Sequence, residues 1–154
     1  MSIPPAHRPV AAPADWDDAT RAEFAVNQAN GCVGHVLVSE TPRVRVWSLH
    51  LKPGERIGFH RHVLDYFWTA VTPGRGRSRH HDGRVVETVY EPGLTRHLCF
   101  APGEFMVHDL ANVGDGDLVF TTVEFLDSGN PPLPVPAHVH RDRPAVGREE
   151  PVLL

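Results

Sequence analysis

The stretch GERIGFHRHVLDYFWTAVTPG, residues 54–74, decides the fold. It opens on a Pro-Gly turn and carries two histidines one residue apart, His60 and His62. Alternate side chains of an extended strand point to the same face, so both imidazoles project together. A third histidine, His108, begins the segment HDLAN at 108–112. Histidines from distant segments share one metal ion only if the strands between them close around it, which predicts a small β-barrel around the three side chains.

The length and composition fit a single globular domain. The chain has 154 residues, of which 41% are hydrophobic and 22% are charged, enough for one sizeable core. A formal net charge of -4 gives no electrostatic reason to bind nucleic acid or an anionic membrane. The N-terminus lacks a basic segment followed by an apolar one, and no apolar run reaches the roughly 20 residues that cross a bilayer. We therefore expect a cytoplasmic protein whose partners are small molecules.

From Cys32 onward the hydrophobic pattern has the period of β-strands. Branched and aromatic residues recur in short segments, and turn signals such as Pro-Gly and Asp-Gly separate them. The clearest hairpin is centred on Asp82-Gly83, for which we predict a two-residue loop. The predicted strands are 33–38, 44–51, 66–71, 77–81, 85–90, 95–100, 105–110 and 118–126. Strands without intervening helices predict an all-β fold, a single antiparallel jelly-roll barrel.

The two ends of the chain differ in composition from the middle. Ten of the fifteen prolines fall in residues 1–13 and 131–154, which predicts extended arms rather than core. One short helix is predicted at 16–28, with Asp15 as its N-cap. Its predicted apolar face consists of Trp16, Ala19, Phe24 and Ala25. We therefore divide the chain into an N-terminal arm with a helix (1–31), the barrel (32–127) and a Pro-rich C-terminal arm (128–154).

The first histidine segment resembles a motif of the cupin superfamily. Gly54, His60, His62 and Gly74 have the spacing of the family pattern G-x5-H-x-H-x4-E-x6-G. The sequence departs from the pattern at Phe67, which stands where the family has glutamate.

The second histidine segment resembles the other cupin motif. His108 and Asn112 match its H-x3-N end, whereas Pro102 and Gly103 are adjacent and lie further from the histidine than in the family. The resemblance spans about residues 33–126. The first segment is also similar to that of small single-domain bacterial cupins in which Asp-Tyr follows the histidine pair. The resemblance implies a jelly-roll barrel, a metal site formed by His60, His62 and His108, and a homodimer.

The predicted ligand set leaves the metal open. Neutral imidazole binds iron(II), nickel(II), zinc(II), manganese(II) and copper(II), and we take iron(II) as the first choice among these divalent transition metals. Three neutral ligands do not compensate the charge of a divalent ion. This favours an anionic or bidentate oxygen-donor substrate such as a small carboxylate or enolate.

Three further residues are candidates for proton handling at the site. Asp65 is a candidate fourth ligand, or an acceptor that orients one histidine. Tyr66 lies an even number of residues from His60 and His62. On an extended strand its phenol can therefore face the same side, toward the pocket. His97 shares a strand face with Cys99, and one face of any barrel strand looks inward, so His97 is a candidate acid or base of the pocket; the alternative is an ordinary core or surface histidine.

A neighbouring strand carries more histidines and a row of cations. His80 and His81 lie beside a turn, so we expect them to face solvent. Arg75, Arg77 and Arg79 alternate on one face, which is typical of a solvated or subunit-facing edge. A single barrel leaves edge strands, which the arms could cover in a partner, so a homodimer is also expected on this ground.

Two classes of function follow. The first is a metal-dependent enzyme, a non-haem iron(II) dioxygenase in which the metal binds the substrate beside dioxygen. The second is a metal-binding or ligand-binding module of a catabolic pathway, without turnover. A redox-neutral isomerase or lyase that uses the same three ligands is a third possibility.

Overall fold

The computed structural model describes residues 2–141. Within this range the chain forms one α-helix, two short 3-10 helices and nine β-strands. The 3-10 helices are Pro5–His7 and Ala137–Val139, the α-helix is α1 (Asp18–Asn27), and the strands are β1 (Val36–Glu40), β2 (Val44–Leu51), β3 (Arg56–His62), β4 (Tyr66–Ala70), β5 (Gly74–Arg79), β6 (Val85–Tyr90), β7 (Thr95–Leu98), β8 (Met106–Asn112) and β9 (Leu118–Phe125).

These strands form two sheets around one core. The five-stranded sheet has the order β1-β2-β9-β4-β7 and the four-stranded sheet the order β3-β8-β5-β6, with every strand pair antiparallel. The main core cluster takes side chains from both sheets, including Leu49 and Phe120 from one and Ile57 and Leu110 from the other. The chain crosses repeatedly from one sheet to the other, as in a jelly roll. The predicted all-β jelly-roll fold is confirmed.

Strand β3 was not among the predicted strands, and its irregular register explains why. Ile57 pairs with Leu110 and His60 pairs with His108, so β3 has one residue more than β8 within this interval. Such an extra residue is a β-bulge, which interrupts the alternation of faces. The bulge lets Ile57 and His60 both line the interior although they are an odd number of residues apart. It therefore sets the direction of the two histidines that follow.

The hairpin between β5 and β6 has a longer loop than predicted. Arg79 pairs with Val85, and the His80 N–H donates to the Arg84 carbonyl at 2.9 Å. The loop is therefore the three residues 81–83. Gly83 closes it with φ of +92°, a conformation that glycine adopts readily.

Helix α1 begins later than predicted. Its N-cap is Asp17 rather than Asp15, and the Asp17 carboxylate accepts the Thr20 N–H at 2.7 Å. Phe24 is its one buried side chain, whereas Ala19 and Ala25 of the predicted apolar face are exposed. The helix is held to the outer face of β3 through a narrow contact.

An aromatic cluster forms that contact. Trp16 stacks on Phe59 of β3 with ring centroids 5.3 Å apart, and Phe24 lies edge-on to Phe59 at the same separation.

Both arms pack on the barrel, contrary to the expectation that they stay outside the core. Ala6 and Leu133 are buried together with Val63 and Leu64. The C-terminal arm runs beside β1, where the Arg141 N–H donates to the Leu37 carbonyl at 3.0 Å. The arm thus covers a sheet edge of its own chain. The domain boundaries and the homodimer stay predictions, and residues 142–154 of the predicted arm lie outside the described residues.

No helix within residues 2–141 is long and apolar enough to cross a membrane. The cytoplasmic location stays a prediction.

Candidate metal centre

The three histidines predicted as ligands come together on neighbouring strands. His60 and His108 are direct partners in the β3–β8 pair, and His62 lies two residues further along β3. One potential ligand atom from each of the three lies within 4.8 Å of those of the other two. The Nε2 atoms of His62 and His108 are 3.1 Å apart. Two nitrogens on one ion, each at a bond length of roughly 2.1 Å, have a similar separation of about 3 Å.

Burial keeps these imidazoles neutral. Burial lowers the pKa of His60 to about 4, although its hydrogen bond to the Gly58 carbonyl opposes the shift. Burial, reinforced by repulsion from the neighbouring histidines, also lowers the pKa of His62 and of His108 well below the usual value. A histidine must be neutral to bind a metal, so all three are competent ligands at neutral pH.

The hydrogen bonds of the rings support a metal site. His60 Nδ1 donates to the Gly58 carbonyl at 2.8 Å, which leaves the lone pair of Nε2 free to bind a metal. Nδ1 of His62 and Nδ1 of His108 are buried and have no hydrogen-bond partner within residues 2–141. Three neutral imidazoles that each bring one nitrogen within 4.8 Å of the others fit a divalent transition metal.

Arg61 lies between the first two histidines and points to the opposite face of β3. Its guanidinium is buried and donates to the backbone carbonyls of Ala6, Arg8 and Gln28 at 2.6–2.9 Å. It also lies over the ring of Phe105, 4.4 Å from the centroid. Arg61 therefore fastens the N-terminal arm to the strand that carries His60 and His62.

Asp109 follows His108 and ties three strands together on the outer face of the four-stranded sheet. Its side chain is 2% exposed and accepts from the guanidinium of Arg56 on β3 and that of Arg79 on β5. The Arg79 N–H also donates to its Oδ1 at 2.8 Å. Arg56 continues the network to Glu23 of α1, at 2.8 Å. The strands that carry His60 and His108 are thus locked together from behind.

Two other residues of the motifs shape the turns rather than bind a ligand. Gly54 has φ of +83° and donates its N–H to the Asn112 carbonyl at 3.1 Å. The buried Asn112 amide donates to the carbonyls of Leu51 and Gly116. The glycine and asparagine thus hold the ends of β3 and β8 in register.

Asp65 lies apart from the histidine cluster. Its carboxylate accepts the Phe100 N–H at 2.8 Å, and its own N–H donates to the Ser128 hydroxyl at 3.0 Å. It is not in the group of potential metal ligands within the described chain. The side chain therefore organises the loop before β4 rather than the predicted ligand sphere.

Tyr66, not Phe67, faces the histidines. The Tyr66 ring is buried and stacks on His62, with centroids 4.1 Å apart and an interplanar angle of 15°. Phe67 points outward and contacts His97 and Phe125. The position aligned with the family glutamate therefore does not look into the barrel. Burial raises the pKa of Tyr66 above its usual value, so its phenol stays protonated.

The prediction that His97 lines the barrel is wrong. The neighbouring Leu98 lines the cavity, whereas His97 is exposed on the outside of β7. The reason is the register of β7 on β4, which pairs Leu98 with the inward-facing Tyr66 and His97 with the outward-facing Phe67.

The prediction that His80 faces solvent is also wrong. His80 is 8% exposed and forms a bridge with His108, with the two rings 5.2 Å apart. Its Nδ1 is buried without a partner among residues 2–141. The alternation of Arg75, Arg77 and Arg79 could have predicted the burial of His80. If the arginines at odd positions point outward, the side chain at position 80 points to the inner face.

The four histidines line a cavity of about 160 Å³ between the sheets. Its other polar lining groups are the phenols of Tyr66 and Tyr90, the indole of Trp68 and the hydroxyls of Ser78, Thr88 and Thr122. The rest of the wall consists of aliphatic, aromatic and methionine side chains. Such a cavity has room for a small molecule beside the histidines.

Glu124 is a second buried residue that sequence reasoning missed. It is 3% exposed and accepts the Trp47 indole N–H at 2.8 Å. Burial raises its pKa to about 7, although the Trp47 bond and Arg45 oppose the shift. It pairs with Tyr66 across β9 and β4.

The raised pKa of Glu124 predicts a pH-dependent stability. The folded carboxyl, with a pKa of about 7, holds a proton that an unfolded one with a pKa of 4.5 has released. The stabilisation is therefore fully present at low pH and is lost as the pH rises from 4.5 through 7. Glu124→Gln keeps the acceptor for Trp47 but does not ionise, so it should exceed the wild type in unfolding free energy by roughly 3 kcal/mol at about pH 8. Urea unfolding should show little difference at about pH 4, and equal stabilities at both pH values would contradict this prediction.

Comparison with known proteins adds a structural likeness. No family model and no curated protein matches the chain. Among solved structures, a cupin domain from Bordetella pertussis Tohama I is similar, with 27% identity and a TM-score of 0.51 over 62% of this chain and 94% of that one. An uncharacterised conserved protein with a double-stranded β-helix domain from Klebsiella pneumoniae has 25% identity and a TM-score of 0.46 over 64% of this chain and 71% of that one. A cupin superfamily protein from Desulfitobacterium hafniense has 15% identity and a TM-score of 0.45 over 60% and 75% of the two chains. Taken with the jelly-roll topology and the three-histidine cluster, the likeness to the Bordetella domain shows that this chain has the fold of the cupin superfamily.

Proposed function

We propose that the protein binds one divalent transition metal ion through His60, His62 and His108 and catalyses an oxygen-dependent oxidation of a small carboxylate or enolate. The observation that carries the proposal is the convergence of three neutral imidazoles at the wall of a cavity. When bound, the ion would supply Lewis-acid chemistry and, as iron(II), one-electron redox chemistry.

The other polar side chains of the cavity suit the binding of a substrate. The Tyr66 phenol stays protonated, so it offers a hydrogen-bond donor rather than a base. His80 has a buried Nδ1 beside His108 that lacks a partner among residues 2–141, so it can bond to a substrate oxygen. The apolar wall excludes water from the reacting groups.

The lining favours oxidation over chemistry that begins with removal of a proton by a carboxylate. Within residues 2–141 no aspartate or glutamate lines the cavity, and Asp65 is engaged with the Phe100 N–H. Within those residues the cavity therefore lacks the carboxylate base on which a lyase of that kind would depend.

A redox-neutral isomerase or lyase is the second candidate, favoured by His80. Its burial lowers its pKa, so a neutral imidazole that can accept a proton stands next to the cluster. This candidate uses the same three ligands and differs from the first in its need for oxygen.

The proposal is tested by metal analysis and oxygen uptake on the same protein. We expect protein purified without chelator to hold one transition metal ion per chain. After iron(II) loading it should consume oxygen in step with the loss of a β-diketone, hydroxy acid or catechol.

Three outcomes would contradict parts of the proposal. Absence of metal binding would overturn the site itself. Substrate conversion without oxygen uptake would replace the oxidation with the redox-neutral reaction. Metal binding with no conversion of any substrate class would favour a binding module.

The homodimer stays a proposal as well. The edge strand β6 supports it, because Val85 and Val89 on its outer face are 57% and 65% exposed. Apolar residues on an open edge are a common means of association.

A further inference from the structure

The cavity wall carries hardly any means of compensating charge. Within the described residues no lysine, arginine, aspartate or glutamate lines it. Three arginines on or beside the histidine strands point to the outer face: Arg56 and Arg79 are bound to Asp109, and Arg61 is bound to backbone carbonyls. A metal ion held by the three histidines would therefore be the only full positive charge that these residues bring to the cavity.

The wall also has a polar side and an apolar end. The inward residues next to His60 and His108 along β3 and β8 are Ile57 and Leu110, which pair with each other. Phe120 of the opposite sheet packs into the same cluster. The hydroxyls that line the cavity are neutral, so they can bond to oxygen atoms without compensating a charge.

The size of the cavity sets a further limit. Its volume is about 160 Å³. A cavity of roughly 150 Å³ holds a molecule the size of benzene, so the occupant has on the order of six to nine non-hydrogen atoms. Sugar phosphates and nucleotides are too large and too highly charged for such a space.

From these observations we infer that the ligand is a compact, mainly apolar molecule with at most one negative charge, held with its oxygen atoms against the histidines and its apolar part against Ile57, Leu110 and Phe120. This inference rests on the proposed metal site. A second negative charge on the ligand would be buried without a partner, which is strongly unfavourable.

The test compares two acids with the same metal-binding head and different tails. Both α-hydroxyisovalerate and malate carry an α-hydroxycarboxylate, but the first ends in an isopropyl group and the second in another carboxylate. Calorimetric titration of zinc-loaded protein should show at least about tenfold tighter binding of α-hydroxyisovalerate, because the second carboxylate of malate finds no cation. Equal binding, or tighter binding of malate, would overturn the inference.

A pair of variants on β6 localises the effect to the wall. Val86 lines the cavity, whereas Val89 points outward and is 65% exposed. Val86→Arg adds a cation to the wall and should reduce the preference for α-hydroxyisovalerate several-fold, while Val89→Arg should leave it unchanged. Equal effects of the two variants would contradict the assignment to the cavity.

Metal analysis of the titrated sample separates the two proposals. Failure to retain zinc would contradict the proposed metal site. The ligand class would then be judged by the ratio of the two affinities in metal-free protein, where the same uncharged wall should still disfavour malate. Retained zinc with no preference between the acids would contradict the ligand class alone.

Discussion

His108→Ala should lower the affinity of the protein for zinc or iron(II) by at least about 100-fold, a larger loss than the roughly 10–100-fold that follows removal of an outer-shell partner. His108 contributes one of three converging nitrogens, and the Nε2 of His62 lies 3.1 Å from its own Nε2. Two histidines on one strand would remain, and they cannot surround an ion from two sides. Competition with a chromogenic chelator measures the affinity, and oxygen uptake should be lost with the metal.

His97→Ala is the matched control. This histidine is exposed on the outer side of β7, so its removal should change neither metal affinity nor oxygen uptake. Circular dichroism should show that both variants keep the β-rich spectrum of the wild type. Wild-type metal affinity in a folded His108→Ala protein would refute the proposed ligand set.

Asp109→Ala should reduce the free energy of unfolding by about 3 kcal/mol or more, the cost of removing one partner of a buried ion pair. The carboxylate is 2% exposed and accepts from Arg56, from the Arg79 guanidinium and from the Arg79 N–H. The two arginine side chains are 32% and 33% exposed, so water offsets part of the loss. Urea unfolding monitored by tryptophan fluorescence measures the change.

Glu87→Ala is the comparison for this variant. Glu87 also accepts twice from one arginine, Arg77, but the two side chains are 53% and 50% exposed. Exposed pairs contribute at most about 1 kcal/mol, so the loss should be much smaller. A loss in Asp109→Ala no greater than that in Glu87→Ala would show that the network does not hold the three strands together.

The fold could be predicted wherever turns and alternation are regular. Strands such as β2 and β9 alternate along their whole length, and their predicted bounds agree with the structure to within one residue. Strand β3 escaped because its bulge breaks the alternation, and because Phe59 and Arg61 on its outer face are buried under α1 and the N-terminal arm. A strand covered on both faces lacks the alternation of buried and exposed side chains by which a strand is predicted from sequence.

The positions of the histidines were predictable in part. The spacing of His60, His62 and His108 was sufficient to predict that the three side chains meet, whereas their metal-binding role stays a prediction. The direction of His97 depended on how β7 pairs with β4, which a four-residue strand does not reveal. Glu124 lies two and four residues from the inward-facing Thr122 and Phe120, so the alternation of β9 placed its side chain on the inner face. Its burial was not predicted because a carboxylate near a strand end is typical of the surface.

The C-terminal arm has a consequence for how copies of the chain can meet. An open strand edge exposes unpaired amides and carbonyls that recruit a strand from another molecule. Within residues 2–141, two of the four sheet edges are partly covered. At the β1 edge the Leu37 carbonyl accepts the Arg141 N–H, and at the β3 edge the Arg61 N–H donates to the Asn30 carbonyl. Within these residues, the edges left for strand-to-strand association, whether in a native assembly or in aggregation, are β6 and β7.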